Sequence, residues 1–349
     1  MMIYDQLEFH NVVELEENKL FPGLRLHRYP RDVRNRLSTR GSHISTQSSG
    51  CEIRFVTDAE AVRLSISSLE EDGDLIVFKG DYFHSNHRLQ AGVRRTLLLE
   101  EPERFKRESP DRKLAEESSL SFSPHVWRIM TCRYTAVFHE LDTLGRSVRP
   151  PHQNEVPALR WLAYGSSITH GGAAIHYYNC YAQQAARRLG VDVLNLGLSG
   201  SCLCEKEAAD YIANRNDWDI ATLELGVNMR TLFTPEQFKE RAYYLIQTVI
   251  QKQPQKPVVV ITVYPNAATY SHMDYPASRN ETQFNHILRE IVSELDHSSL
   301  YLIEGYEIMK DMSSLVFDLL HPSDYGHMLM GEHLAAKLRE ILQVRSEKS

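Results

Sequence analysis

The sequence lacks any run approaching the roughly 20 apolar residues of a membrane-spanning helix. Its first ten residues, M-M-I-Y-D-Q-L-E-F-H, lack a basic region followed by an apolar core. The expectation from both absences is a cytoplasmic protein without a membrane partner. An excess of positive charge is missing too: 39 Lys and Arg stand against 46 Asp and Glu, a formal charge of -7. That balance favours solubility and excludes a general attraction for nucleic acid. Cysteine is scarce, and Cys51, Cys132, Cys180, Cys202 and Cys204 form an odd set without paired zinc spacing. Reduced thiols fit it better than a disulfide framework. The C-x-C pair at Cys202 and Cys204 has no second Cys or His pair nearby, so two small residues at the start of a helix are expected there rather than a metal or redox site. His84 and His87, in Y-F-H-S-N-H, likewise have no carboxylate or thiol partner in sequence, and neither a metal nor a cofactor is expected.

What is present is a globular composition, 42% hydrophobic and 24% charged. At 349 residues the chain exceeds the size at which one core usually suffices, so two domains are expected. The joint is R-S-V-R-P-P-H-Q-N-E-V-P, Arg146 to Pro157, where three prolines and several polar residues break every period. The expected division is 1–155, an all-β sandwich of jelly-roll type, and 156–349, an α/β domain.

Residues 1 to about 45 hold little regular pattern. Their arginine-rich piece contributes six arginines between Arg25 and Arg40, for which a solvated surface or a domain-interface salt network is the expected use. From Cys51 the period becomes two, in C-E-I-R-F-V-T, A-V-R-L-S-I-S-S-L and D-L-I-V-F-K-G. The runs V-R-R-T-L-L-L-E, V-W-R-I-M-T-C and Y-T-A-V-F-H-E-L continue it, around a charged loop that starts at Glu101. Short strands with one wet face and turns between them predict an antiparallel sandwich. Beyond the joint, strands alternate with helices: W-L-A-Y, helix from Asn179, V-D-V-L-N-L, helix around Glu205 to Arg215, D-I-A-T-L-E-L, helix over Pro235 to Gln253, P-V-V-V-I-T-V-Y, helix across Glu281 to Leu295, S-L-Y-L-I and a final helix from Asp324. That alternation predicts a doubly wound parallel sheet with its active groups at the carboxyl ends of the strands.

The strand-end loops carry the chemistry. Trp161 to Gly172, W-L-A-Y-G-S-S-I-T-H-G-G, is strand, tight turn and helix approach, the geometry that exposes a nucleophile. Physical reasoning allows either Ser166 or Ser167. A hydroxyl at neutral pH needs a base, and His321 is the candidate, with Asp318 three residues before it to fix the imidazole tautomer. A tetrahedral oxyanion needs donors, and the loops offer the backbone N–H groups of Ser167 and Gly200 with the side-chain amide of Asn228. Each piece alone is weak, since Ser167 would serve equally as a helix cap and His321 as a surface residue. Their order and their placement at successive strand ends carry the reading.

On these motifs residues 158 to 342 resemble the SGNH hydrolases, also called GDSL esterases. The resemblance selects Ser167, in G-S-S-I, as nucleophile. It implies Gly200, in L-S-G-S, and Asn228, in G-V-N-M, as oxyanion-hole residues, and Asp318 with His321, in D-L-L-H, as the acid and base partners. Two positions depart from the family pattern: Ser166 stands where the motif has Asp, and Met229 where many members have Asp after the Asn. A sandwich ahead of the hydrolase domain resembles two-domain carbohydrate esterases and some acyl-transferring relatives. The resemblance implies removal of short acyl groups, acetyl first, from a sugar or a small-molecule ester. Transfer of the acyl group to another alcohol, or carbohydrate binding without catalysis, are the alternatives. A phosphate-binding loop is excluded, because Ala173 and Ala174 sit where its lysine and hydroxyl belong. No long apolar lid segment points to a lipase. Tyr164, Tyr177, Tyr178 and Tyr264 are candidates either for stacking on a sugar ring or for core packing. Sandwich faces often serve as subunit interfaces, so a homo-oligomer is compatible with the sequence.

Overall fold

Alternating apolar residues between Cys51 and Asp142 form strands, and in the computed structural model these assemble into antiparallel sheets. The structure describes residues 2–17, 22–108 and 120–346. The chain divides into two compact units that interleave in sequence. Met1–Arg31, Ser45–Ala158 and Gly190–Asp192 form one, and Asp32–Ile44, Leu159–Leu189 and Val193–Ser349 the other. The division expected at 155/156 cuts the chain once. In the fold the early segment Asp32–Ile44 belongs with the second unit, where Ser38 N–H donates to the carboxylate of Glu205.

The first unit holds strands β1 (Met2–Tyr4), β2 (Leu7–His10), β3 (Glu14–Glu17), β4 (Leu24–His27), β5 (Glu52–Thr57), β6 (Ala61–Ser68), β7 (Gly73–Lys79), β8 (Tyr82–Leu89), β9 (Arg95–Glu100), β10 (Trp127–Thr131), β11 (Ala136–Asp142) and β12 (Val148–Arg149). One sheet runs β1-β2-β5-β10-β7-β8 with β12 beside β5, and the other β3-β4-β11-β6-β9. Register aligns like with like. Ile129 pairs with Ile53 and Val77 in the first sheet, while Leu64 pairs with Leu97 and Leu141 in the second. Of these, Ile53, Leu64, Val77, Leu97 and Ile129, with Phe9, Phe55, Trp127 and Phe138, belong to one buried apolar cluster fed by both sheets, and Leu141 packs against it.

Several expectations fail here for identifiable reasons. Among the described residues of the first 45 are four strands and two short helices, Arg31–Arg34 and Thr39–Ser45; strands of three or four residues are too short for a period to show. Strand β8 escapes notice because Y-F-H-S-N-H-R-L is polar, yet it pairs along β7, with the hairpin turning at Gly80, whose φ is +58°. His84 sits on this strand, bonded to Ser85 and the Glu100 carbonyl, and His87 is bonded to Ser85. The charged loop carries a helix, Glu103–Glu108, and its remainder from 109 lies outside the described residues.

The wet face expected of these strands is also absent in β5 and β10. Glu52, Arg54 and Arg128 alternate with the core residues and are buried. Arg54 and Arg128 are direct cross-strand partners, an arrangement that would repel. The Glu52 carboxylate lies between them, accepting from Arg54 Nε at 2.7 Å and from Arg128 Nη2 at 2.7 Å. Arg54 also makes a bidentate pair with Asp192 at 2.6 and 2.8 Å. Burial alone would raise the Glu52 carboxyl, and the adjacent Arg128 and Arg54 outweigh it and hold the group below the usual carboxylate range. Breaking such a network strands charge in the interior. Arg54→Ala is therefore expected to destabilise the protein by about 3–5 kcal/mol, measured as a lower midpoint in urea unfolding.

The second unit is built on β13 (Arg160–Tyr164), β14 (Asp192–Asn195, whose first residue belongs to the first unit), β15 (Ile220–Glu224), β16 (Val258–Ile261) and β17 (Leu300–Ile303), in the order β14-β13-β15-β16-β17. Strands β13, β15, β16 and β17 run parallel. The chain moves from β13 one way to β14 and then back past it to β15. Right-handed connections put the helix after β13 on one face and the helices after β14, β15 and β16 on the other, and the reversal of direction opens a crevice at the carboxyl end of β13. The longer helices are Tyr181–Leu189, Lys206–Asn214, Pro235–Lys252, Pro276–Leu295 and Asp324–Ser346. Gly190, at φ +68°, ends the first, and Thr234 caps the third by accepting from Gln237 N. The fourth starts five residues before the expected Glu281 because Pro276 supplies a first-turn residue that needs no N–H partner.

Candidate active site

The carboxyl end of β13 passes into Gly165, Ser166 and Ser167, and this turn is shaped by close packing. A side chain at Gly165 would overlap Thr169 and Glu224, and one at Gly172 would come within 2.8 Å of the Ser167 carbonyl oxygen and 3.1 Å of the His321 ring. The loop that follows is pinned by the last helix. Asp324 accepts from Ile175 N at 2.7 Å and Asn179 Nδ2 at 3.0 Å, and the His327 ring bonds the Gly172 carbonyl at 2.8 Å.

Ser167 Oγ lies 2.7 Å from His321 Nε2. His321 Nδ1 lies 2.7 Å from Asp318 Oδ2, and Asp318 Oδ1 accepts from the backbone N–H groups of Leu320 and His321, both at 2.9 Å. Burial would raise the Asp318 carboxyl, but the hydrogen bonds from His321 and Leu320 prevail and hold it below the usual carboxylate range. The three residues thus form one hydrogen-bonded relay in which an imidazole oriented by a carboxylate faces a serine hydroxyl.

Among the described residues the backbone N–H of Ser167, the N–H of Gly200 and the side-chain NH2 of Asn228 have no intramolecular acceptor. Asn228 is oriented by its other end, where Oδ1 accepts from Cys202 N at 3.1 Å. Ser166 is fully buried and faces away from solvent, with Oγ accepting from Ile168 N at 3.2 Å. Ser167, then, is the serine of the pair that meets the imidazole.

A family model described as GDSL-like lipase/acylhydrolase matches residues 160–339, more than half of the chain. The chain belongs to that family. No curated protein matches the sequence, whereas solved structures share the fold. The salicylyl-acyltransferase SsfX3 from a tetracycline biosynthetic pathway is similar at TM-score 0.81 with 14% identity, over 97% of this chain and 95% of that one. A family two carbohydrate esterase from Cellvibrio japonicus is similar at TM-score 0.64 with 13% identity, over 97% and 96%. One from Clostridium thermocellum, in complex with cellohexaose, is similar at TM-score 0.61 with 14% identity, over 85% and 94%.

Within this GDSL-like fold a buried carboxylate beneath the Ser166 turn was overlooked by sequence reasoning. Glu224, at the end of β15, projects beneath the turn, its Oε2 accepting from Ser166 N at 2.6 Å and Thr169 Oγ1 at 3.0 Å. The signal was a carboxylate inside the apolar strand D-I-A-T-L-E-L. Met229, the second departure, is fully buried. Arg40 also went unassigned, and its Nε donates to the Ser199 carbonyl at 3.1 Å. Of the tyrosines considered for sugar stacking, Tyr164, Tyr177 and Tyr264 are buried in the interior, and Tyr178 stacks on His176. Cys202 and Cys204 are buried free thiols, the latter pushed up to about 12 by burial.

Burial pushes the Glu224 carboxyl from its ordinary 4.5 up to about 7, against the opposing hydrogen bonds from Ser166 and Thr169. Its Oε1 is buried without a partner among the described residues, a position where charge is costly. The folded protein therefore keeps a proton that the unfolded chain releases above about pH 4.5. This group's contribution to stability is full in acid and is lost as pH rises toward 7. Glu224→Gln is expected to flatten the fall of Tm across that window, measured by thermal unfolding at a series of pH values; an unchanged slope would show that Glu224 does not titrate there.

Proposed function

We propose that the protein is a serine ester hydrolase that removes short acyl groups, acetyl first, from a carbohydrate or small-molecule ester through an acyl-enzyme on Ser167. The observation that carries this reading is the relay Ser167–His321–Asp318 with its two 2.7 Å bonds, and the donors left without intramolecular acceptors among the described residues supply the proposed oxyanion hole. In the proposed reaction His321 Nε2 takes the Ser167 proton as Oγ attacks the ester carbonyl, and Asp318 stabilises the imidazolium. The oxyanion is received by the N–H groups of Ser167 and Gly200 and by Asn228, donors already oriented before charge develops. The imidazolium then protonates the departing alcohol, and water repeats the sequence on the acyl-enzyme.

Membership of an acylhydrolase family and a fold shared with carbohydrate esterases support the choice of reaction and of a sugar as the alcohol part. Two antiparallel sheets with one common core support reading the first unit as a β-sandwich of jelly-roll type.

A second reading, acyl transfer from the same acyl-enzyme to an alcohol other than water, is favoured by one feature. Phe317 and Leu319 flank Asp318 with exposed side chains, an apolar surface beside the proposed base that an acceptor would contact. The full-length likeness to an acyltransferase agrees with it. Product analysis with and without candidate alcohols separates the two.

An organophosphonate probe is expected to add its mass to the wild-type protein and not to Ser167→Ala, read by intact mass spectrometry, with kcat falling by at least about 10³-fold in that variant and in His321→Ala. On a panel of aryl esters the acetate is expected to be cleaved and long chains scarcely, and a preference for eight or more carbons would overturn the short-acyl assignment.

A further inference from the structure

The arginine at the start of helix Thr39–Ser45 has no role in the proposed reaction, yet it touches the peptide on which one oxyanion donor sits. Arg40 Nε donates to the carbonyl oxygen of Ser199 at 3.1 Å. That carbonyl and the Gly200 N–H belong to the same trans peptide plane, so they point in opposite directions. Holding the oxygen on the Arg40 side therefore fixes the N–H on the other. Gly200 itself has φ +66°, and a Cβ there would lie 2.5 Å from Arg40 Nε and 2.7 Å from Cζ. The guanidinium thus sits flush on the bare backbone.

Such a restraint has a physical purpose. A glycine in the left-handed region moves readily between conformations, and a flip of the Ser199–Gly200 peptide would turn a carbonyl oxygen toward the place where the N–H now faces. An oxyanion there would meet repulsion in place of donation. A cation bonded to the carbonyl opposes the flip and also polarises the peptide, strengthening its N–H as a donor. Arg40 is exposed and, among the described residues, makes no ion pair with an acid, so its charge is not spent elsewhere. The segment before it is held independently, since Ser38 N–H donates to Glu205 Oε1 at 2.5 Å.

We infer that Arg40 is a positioning residue of the proposed oxyanion hole, locking and polarising the Ser199–Gly200 peptide so that the Gly200 N–H faces the developing negative charge. This rests on the reading of Ser167 as nucleophile and Gly200 as donor.

The test is steady-state hydrolysis of the uncharged ester 4-nitrophenyl acetate, together with the rate of phosphonate labelling at Ser167, in wild type, Arg40→Ala and Arg40→Lys. Losing a donor outright costs on the order of 10²-fold, and loosening one is expected to cost about tenfold. In Arg40→Ala kcat should fall by that factor with KM within about twofold, and phosphonate labelling, which passes through a pentacoordinate phosphorus with negative charge growing on the phosphoryl oxygen as the leaving group departs, should slow equally. Arg40→Lys should recover part of the loss, and added methylguanidinium should partly restore Arg40→Ala, which a misfolded variant would not allow. Wild-type kinetics in both variants, or a raised KM at unchanged kcat, would overturn the inference, the latter making Arg40 a substrate contact. If wild type itself is not labelled at Ser167, the nucleophile reading fails and this inference falls with it. Labelling of wild type and Arg40→Ala at equal rates sinks only the role of Arg40.

Discussion

A single 2.7 Å hydrogen bond, between Ser167 Oγ and His321 Nε2, joins residues 154 positions apart. The second unit is arranged around that contact. The serine is presented by the end of β13, where Gly165 and Gly172 permit the chain to fold tightly against Glu224 and His321. The histidine is held by the Asp318 turn, in which one carboxylate binds both the imidazole and the backbone that carries it. The last helix then fastens the loop after the serine through Asp324 and His327. A hydroxyl–imidazole pair works only within a few tenths of an ångström of this geometry, which is why so much local structure converges on it.

At the departure from the family motif, a carboxylate reaches the turn from a distant place in the chain. Ser166 stands where a carboxylate is usual, and Glu224 brings one from the adjacent strand to the same turn. Glu224 projects from the central strand of the sheet, is fully buried and retains its proton up to about pH 7. The same turn is held by a group of altered acidity.

The first unit shows a comparable limit on pattern reading. Strands β5, β6, β7, β9, β10 and β11 were legible because their apolar residues recur at every second position. The residues between them were equally legible as polar, and polarity was taken for exposure. Glu52, Arg54 and Arg128 are polar and buried, and only their mutual pairing makes that tolerable. One-dimensional period separates the two faces of a strand but does not say what covers the second face. The short strands of the first 45 residues and the polar edge strand β8 were lost for a related reason, since backbone pairing rather than side-chain periodicity defines them.

The sequence by itself determined the strand and helix alternation beyond residue 158, the loops that carry chemistry and the residue types gathered there, because each is encoded by neighbours within a few positions or by a motif. It left Ser166 and Ser167 equivalent on physical grounds, and it was silent on Glu224 and Arg40. Tertiary structure decided those points. Ser166 is turned inward and Ser167 toward the imidazole. Glu224 reaches the Ser166 turn from a neighbouring strand, and Arg40 reaches the Ser199 carbonyl from a segment more than a hundred residues upstream. Three of the four tyrosines considered for sugar binding became core. The physical reason is common to all of them: a side chain's type is local, but its direction, its burial and its partners are fixed only when distant parts of the chain pack against it.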